Sequence, residues 1–226
     1  MSVGFDSVLL LLHVMFFCYW LGTDLGVFYS ARFMMRADIS VEARQYCAKI
    51  MNFLDQAPRV SMPGILVVGA SLGILRGYIN ASADWILPIW IIGILWVAAV
   101  IYLYINEHHP EKIKTVKYVD FRFRVVMTLF LTYLGVSSLM GVEGAITSDN
   151  WLAAKILVFA ACMASGVMIR VYMKDFGQYY GPMLRGNATP EQISIAQGMM
   201  ANAKIFVLCI WGLLVIAAAL GLWKPF

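Results

Sequence analysis

Apolar residues in this chain gather into six stretches: 7–30, 61–79, 85–105, 124–142, 151–173 and 203–223. A helix needs about 20 predominantly apolar residues to cross a bilayer. In lipid every backbone polar group must be satisfied within the protein, which leaves helices and closed barrels as the only spanning structures. The pattern therefore predicts six transmembrane helices. A more polar stretch separates the first two, and within it Tyr46, Ile50, Phe53, Leu54 and Ala57 recur at helical spacing. That spacing predicts an amphipathic helix lying on the membrane surface. The expected fold is an all-α integral membrane protein, a six-transmembrane-helix bundle with an amphipathic surface helix between helices 1 and 2. No linker or low-complexity tract divides the chain, so residues 1–226 read as a single transmembrane domain.

Composition agrees with that reading. Of 226 residues, 62% are hydrophobic and 13% charged, and the mean hydropathy is +0.77. A soluble domain carries about 25% charged residues. The net charge of +4 matters less than where the charges fall. With six spans, the loops 30–60, 106–123 and 174–202 share one face. Most of the Lys and Arg lie on or beside those loops, from Arg32, Arg36, Arg44 and Arg59 to Lys112, Lys114, Lys117, Arg170 and Lys204. The opposite side has Arg76, Lys155 and Lys224. The positive-inside rule then makes the basic face cytoplasmic and places both termini outside a bacterial-type inner membrane. Orientation accounts for the basic surface without a nucleic-acid partner. No basic n-region precedes the first apolar stretch, so no cleaved signal peptide is expected.

Local signals refine the helix ends. Thr189-Pro190-Glu191-Gln192 has the order of a capping box with Pro at the first helical position. The last helix should therefore start two to three turns before the membrane. Gly69, Gly73 and Gly77, and Gly22 with Gly26, form small-residue stripes. These suit close helix packing; a flat macrocycle against the glycines is the sharper alternative. A faint internal echo also exists: Gly69 precedes Trp85 by the interval that separates Gly135 from Trp151.

Candidate chemistry centres on residues that hydrocarbon disfavours. His13, Trp20 and Asp24 are spaced to share one face of the first helix. A membrane-buried His acts as a haem or metal ligand, a proton carrier or a hydrogen-bonded packing residue. With few polar partners available in the bilayer, ligand or relay is the favoured reading. His108 follows the third span at the basic end, about 20 Å along the bundle axis from His13, so one iron cannot take both. Met140, Lys155 and Cys162 are the candidates at compatible depth. Lys155 is a functional partner or a snorkelling side chain, since it lies about one turn from its helix end. Asp24 invites pairing with Arg32, Arg122 or Arg124, and leaves a proton path open. Arg59, Arg122 and Arg124 could clamp carboxylates such as haem propionates. The 14 methionines admit a weaker copper reading. The four cysteines form no C-x-x-C pair.

Several strings resemble a known family. Leu12-His13-Val14 followed by Trp20, then Phe28-Tyr29 and Arg32-Phe33, resembles the first helix of the HemJ-type protoporphyrinogen oxidases. Trp151-Leu152-Ala153-Ala154-Lys155 resembles that family's W-L-x-x-K helix, and Lys174-Asp175-Phe176 the motif after it. Arg124-Val125-Val126-Met127-Thr128 with Gly135 resembles the helix between, and Lys224-Pro225-Phe226 the usual ending. The wider group includes CopD-like membrane proteins. The resemblance implies a haem b in the bundle, with His13 as axial ligand and Lys155 as a functional partner. The other residues expected at the site are Trp20, Arg32, Arg124 and Met140 for cofactor binding, and Asp24 beside Lys155 for catalysis. It implies porphyrinogen oxidation, with electrons passed to a quinone or periplasmic cytochrome. Residues 37–121 look like an insertion relative to that family, and Arg36 stands where the family often has His. A reading from another class is a non-catalytic membrane anchor for partner subunits or a second copy of the chain.

Overall fold

A computed structural model describes residues 4–36 and 38–225; Phe226 of the C-terminal motif lies outside them. Among the described residues the elements are helical throughout, with no strand. They are α1 (Phe5–Met34), α2 (Val41–Leu54), α3 (Gln56–Leu75), a short turn of 3-10 helix (Ala83–Trp85), α4 (Ile86–Ile105), α5 (Pro110–Leu139), α6 (Asn150–Tyr172), α7 (Phe176–Arg185) and α8 (Pro190–Trp223).

Among the described residues five segments are long and apolar enough to cross a membrane, the mark of a multi-pass protein. They are α1, the combined α2–α3 run Val41–Leu75, the run Ala83–Ile105, α6 and α8. The sequence pattern predicted six, and α5 is the difference. Its 30 residues begin with a charged half, Lys112 to Arg124, before the apolar run starts at Val125. Even so, Val126, Leu129, Phe130 and Tyr133 of α5 face outward like the apolar residues of its neighbours. The segment expected as a surface helix also differs from the pattern. The helix ends at Leu54, and Ala57 already belongs to α3. Tyr46, Ile50 and Phe53 point outward, while Arg44 is the buried residue. Arg44 is buried because it donates to the carbonyls of Arg36 (2.7 Å) and Met183 (3.3 Å), which pins α2 against α7.

The six long helices form a ring in the order α1, α3, α4, α5, α6, α8. Contacts are extensive within the trios α1–α3–α4 and α5–α6–α8, and slighter where α4 meets α5 and α8 meets α1. Each helix sends a side chain into one shared core: Trp20, Met62, Trp96, Leu131, Met163 and Leu214. At the basic end a second cluster joins Met34 of α1 and Met35 just past its end to Tyr180 and Met183 of α7 and Met200 of α8. These methionines pack against apolar neighbours, the gap-filling use of the residue. The capping box of α8 is present: Gln192 N donates to Thr189 Oγ1 at 3.2 Å, and Thr189 N to Gln192 Oε1 at 3.0 Å.

Two glycine positions explain the tight ring. A methyl group on Gly69 would strike the His13 ring, so that glycine lets α1 lie against α3. One on Gly135 would meet Leu157 and the Ala153 carbonyl (3.1 Å), so it sets the approach of α5 to α6. Gly77 is not part of that stripe. It sits past the end of α3 with φ of 71°, a left-handed turn.

Two outcomes test this packing. Gly135→Ala should lower the unfolding midpoint in detergent by a loss of about 1–3 kcal/mol from overpacking. Gly166→Ala, with nothing within 4 Å of the added methyl group, should be neutral or gain up to about 1 kcal/mol of helix propensity. The Tyr180 hydroxyl is buried without a hydrogen-bond partner, and burial pushes it up to about 12. Tyr180→Phe should therefore leave stability unchanged or higher. The raised value favours the neutral phenol, so the wild type should lose stability as pH climbs from 10 towards 12, and the variant should lose less. Alkaline thermal melts of both proteins measure it.

Candidate functional site

Buried polar side chains collect at two levels of the ring. The larger group is at the basic end, where i,i+4 spacing along α5 puts Arg124 beside Asp120. Asp120 is 3% exposed. Its carboxylate accepts from Arg124 Nε (2.9 and 3.1 Å), Arg170 Nη1 of α6 (3.0 Å) and Trp96 Nε1 of α4 (3.1 Å). Arg124 also lies over the Trp96 ring and directs Nη1 at Met62 Sδ (3.4 Å), while its Nη2 is buried without a partner. One carboxylate thus holds two guanidinium groups and an indole from three helices. Breaking such a pair by removing one partner leaves an uncompensated buried charge.

A cavity of about 150 Å³ opens beside this cluster, lined by Asn52, Gln56, Arg59, Glu107, Lys117 and Arg170 among others. At the opposite end an apolar groove of about 600 Å³ runs between α1 and α4, lined by Phe5, Val8, Leu9, Leu12, Ala83, Ile86, Leu87 and Trp90. Nothing polar reaches into it beyond the Trp90 indole, whose N–H is already given to Ser71 Oγ (3.0 Å).

The second polar level lies towards that opposite end. His13 rests against Gly69 and beside the Ile65 carbonyl of α3, and its Nδ1 is buried with no partner. Lys155 lies within electrostatic reach of the ring, and its Nζ sits over Gly221 of α8. Beyond Lys155, Lys224 Nζ donates to Tyr78 Oη (2.6 Å) and lies over the Trp151 ring. Between the two levels Trp20 meets Phe159 edge-on at 6.0 Å within the shared core.

The residues singled out from sequence are therefore divided. His13, Trp20 and Asp24 do share the inward face of α1, but His13 and Asp24 are about 16 Å apart along the axis. Asp24 pairs with none of the expected arginines: it accepts from Trp211 Nε1 of α8 at 2.8 Å. Arg124 is committed to Asp120, because that carboxylate is one helical turn away and Arg32 is exposed in the last turn of α1. Met140 caps the end of α5 and is 74% exposed. Lys155 lies towards the same end of the bundle as His13, with its Nζ over Gly221 of α8, while Met140, Arg32 and Arg124 lie elsewhere. His108, with a side chain 85% exposed in the loop before α5, sits at the far end, as the span order required. Sequence reasoning passed over Asp120, Arg170, Trp96 and Trp211; the Asp120/Arg124 interval was the available signal for the first.

Among the described residues no three His, Cys, Asp or Glu side chains converge as a metal group. No family model, curated protein or solved structure matches the chain.

Asp120→Asn should cost about 3–5 kcal/mol, since two guanidinium groups lose their only common counter-charge. Trp96→Phe removes one hydrogen bond to the same carboxylate and should cost about 1.5–3 kcal/mol. Denaturant unfolding of the detergent-solubilised protein, followed by tryptophan fluorescence of Asp120→Asn and by circular dichroism of Trp96→Phe, ranks the two.

Proposed function

We propose that this is a six-span inner-membrane protein with its basic end in the cytoplasm, built to hold a haem b through His13 for electron transfer. The outward apolar face of α5 supports the sixth span. The gathering of Arg and Lys at one end supports the orientation. The observation that carries the cofactor is the buried Nδ1 of His13, which has the Ile65 carbonyl beside the ring but no partner in good hydrogen-bond geometry. An unsatisfied imidazole nitrogen inside a membrane bundle costs about 1–3 kcal/mol, and a bound group is one way that cost is offset.

The donor chemistry fits haem better than a protein-ligated zinc or copper centre. Such centres draw three or four protein ligands, whereas haem iron asks the protein for one or two axial ligands. When bound, the haem supplies a one-electron carrier. His13 would hold it, oriented by α3 at Gly69 and Ile65, and the Lys155 Nζ would hold or release a proton on the same level. Arg124 is taken up by Asp120 and Arg32 by the exposed end of α1, so neither is assigned to propionates here. The HemJ-like strings in α1 and α6 make a porphyrinogen the first substrate to try and a quinone or periplasmic cytochrome the first acceptor.

One observation favours a second reading. The ring interior is filled by side chains from all six helices, and neither cavity is lined by His13. A chain packed in this way also suits a non-catalytic membrane subunit, with the imidazole serving as an α1–α3 spacer.

Purified full-length protein separates the two. Haem binding predicts a red preparation whose reduced-minus-oxidised spectrum shows b-type bands, lost in His13→Ala while the helical circular dichroism signal is kept. A colourless, folded wild-type protein that takes up no added haem overturns the cofactor reading and leaves the subunit role.

A further inference from the structure

The cavity at the basic end has a composition that neither reading above uses. Its wall brings together Arg59 from α3, Lys117 from α5 and Arg170 from α6, against the single carboxylate of Glu107. The two amide side chains are already engaged: Asn52 Nδ2 donates to Glu107 Oε2 (2.7 Å) and Gln56 Nε2 to the Asn52 carbonyl (2.9 Å). The cations are only partly satisfied. Arg59 pairs with Asp55 yet its side chain stays 44% exposed. Arg170 gives Nη1 to Asp120, an oxygen it shares with Arg124. Lys117 has no ion-pair partner among the described residues. Taking the wall with the layer behind it, four cations (Arg59, Lys117, Arg124, Arg170) face three carboxylates (Asp55, Glu107, Asp120). One positive charge is left over, and it falls at the mouth of a single cavity, where Lys117 is exposed and Arg59 partly so.

We infer that this cavity binds a phosphate group, from the headgroup of an anionic phospholipid or from a free phosphate-bearing solute. About 150 Å³ is room for a group several water molecules in size. Cations arriving from three helices suit a tetrahedral anion with three or four accepting oxygens. Two guanidinium forks supply paired donors and the ammonium a point charge. The flanks favour the lipid source: Phe53 on α2 and Ile105 on α4, each 69% exposed, are chain neighbours of the wall residues Asn52 and Tyr104 and offer an apolar path for acyl chains. This inference does not rest on haem binding, and a colourless protein leaves it standing.

The test uses the full chain, delipidated in detergent. One arm measures retention of phosphatidylglycerol against phosphatidylcholine by native mass spectrometry. The other measures thermal stabilisation by inorganic phosphate against chloride at matched ionic strength. Lys117→Gln and Arg59→Gln should each weaken binding about tenfold, the loss of one charge-assisted contact. Lys114→Gln, an exposed lysine on the same helix outside the wall, should change nothing. Lys117 is exposed, so its variant tests binding without disturbing the core. Selective lipid retention identifies a headgroup site, and stabilisation by phosphate alone identifies a soluble ligand. Failure of both arms, or an equal loss in Lys114→Gln, overturns the proposal.

Discussion

Asp120 is the interaction on which the basic half of the bundle depends. A carboxylate this deeply enclosed has to be held by donors, and it takes them from α4, α5 and α6 at once: Trp96, Arg124 and Arg170. The guanidinium groups have the same need in reverse, since an unpaired buried charge is among the most costly defects a fold can carry. The α4–α5 contact is one of the two slight seams of the ring, so a polar tie across it matters more than one inside a closely packed trio. The other seam, α8 to α1, carries a polar tie of its own where Trp211 donates to Asp24. Both seams are closed by an indole N–H on a carboxylate, and apolar packing fills the space between.

The opposite half is organised by shape rather than charge. Gly69 removes a side chain where the His13 ring needs room. Gly221 does the same for the Lys155 ammonium. In a bilayer, lipid is as apolar as the helix surfaces, so close approach through small residues does much of the work that hydrophobic burial does in water. The ring nitrogen is one of five buried side-chain polar atoms left without a partner among the described residues, with Arg44 Nε, Arg124 Nη2, Ser138 Oγ and Tyr180 Oη.

The basic end gains a further meaning from the cavity beside Asp120. Positive charge gathered at one end of a membrane bundle is expected from insertion alone. Convergence on one cavity wall is not expected from insertion. Arg59, Lys117 and Arg170 come from three separate segments, and only the ring brings them to one wall.

The helical, membrane-spanning character of this protein was legible in the chain, because lipid imposes a long apolar run on every crossing and such runs are visible residue by residue. The inward face of α1 and the start of α8 at Thr189 were legible for the same reason: periodicity and capping are local. The mixed chemistry of α5 was harder to read, since Asp120 in its charged first half is held in part by Trp96 and Arg170, distant in sequence. Tyr46, Ile50 and Phe53 do form an outward apolar set on α2, while periodicity gave no sign that Arg44 is drawn in by carbonyls of Arg36 and Met183. Which carboxylate meets which guanidinium, that Asp24 answers an indole, and that Met140 stands apart from His13 were matters of helix order around the ring. Local sequence determines what each segment can bury; only tertiary packing decides against what, because a side chain's partner lies on a helix whose position the segment itself does not encode.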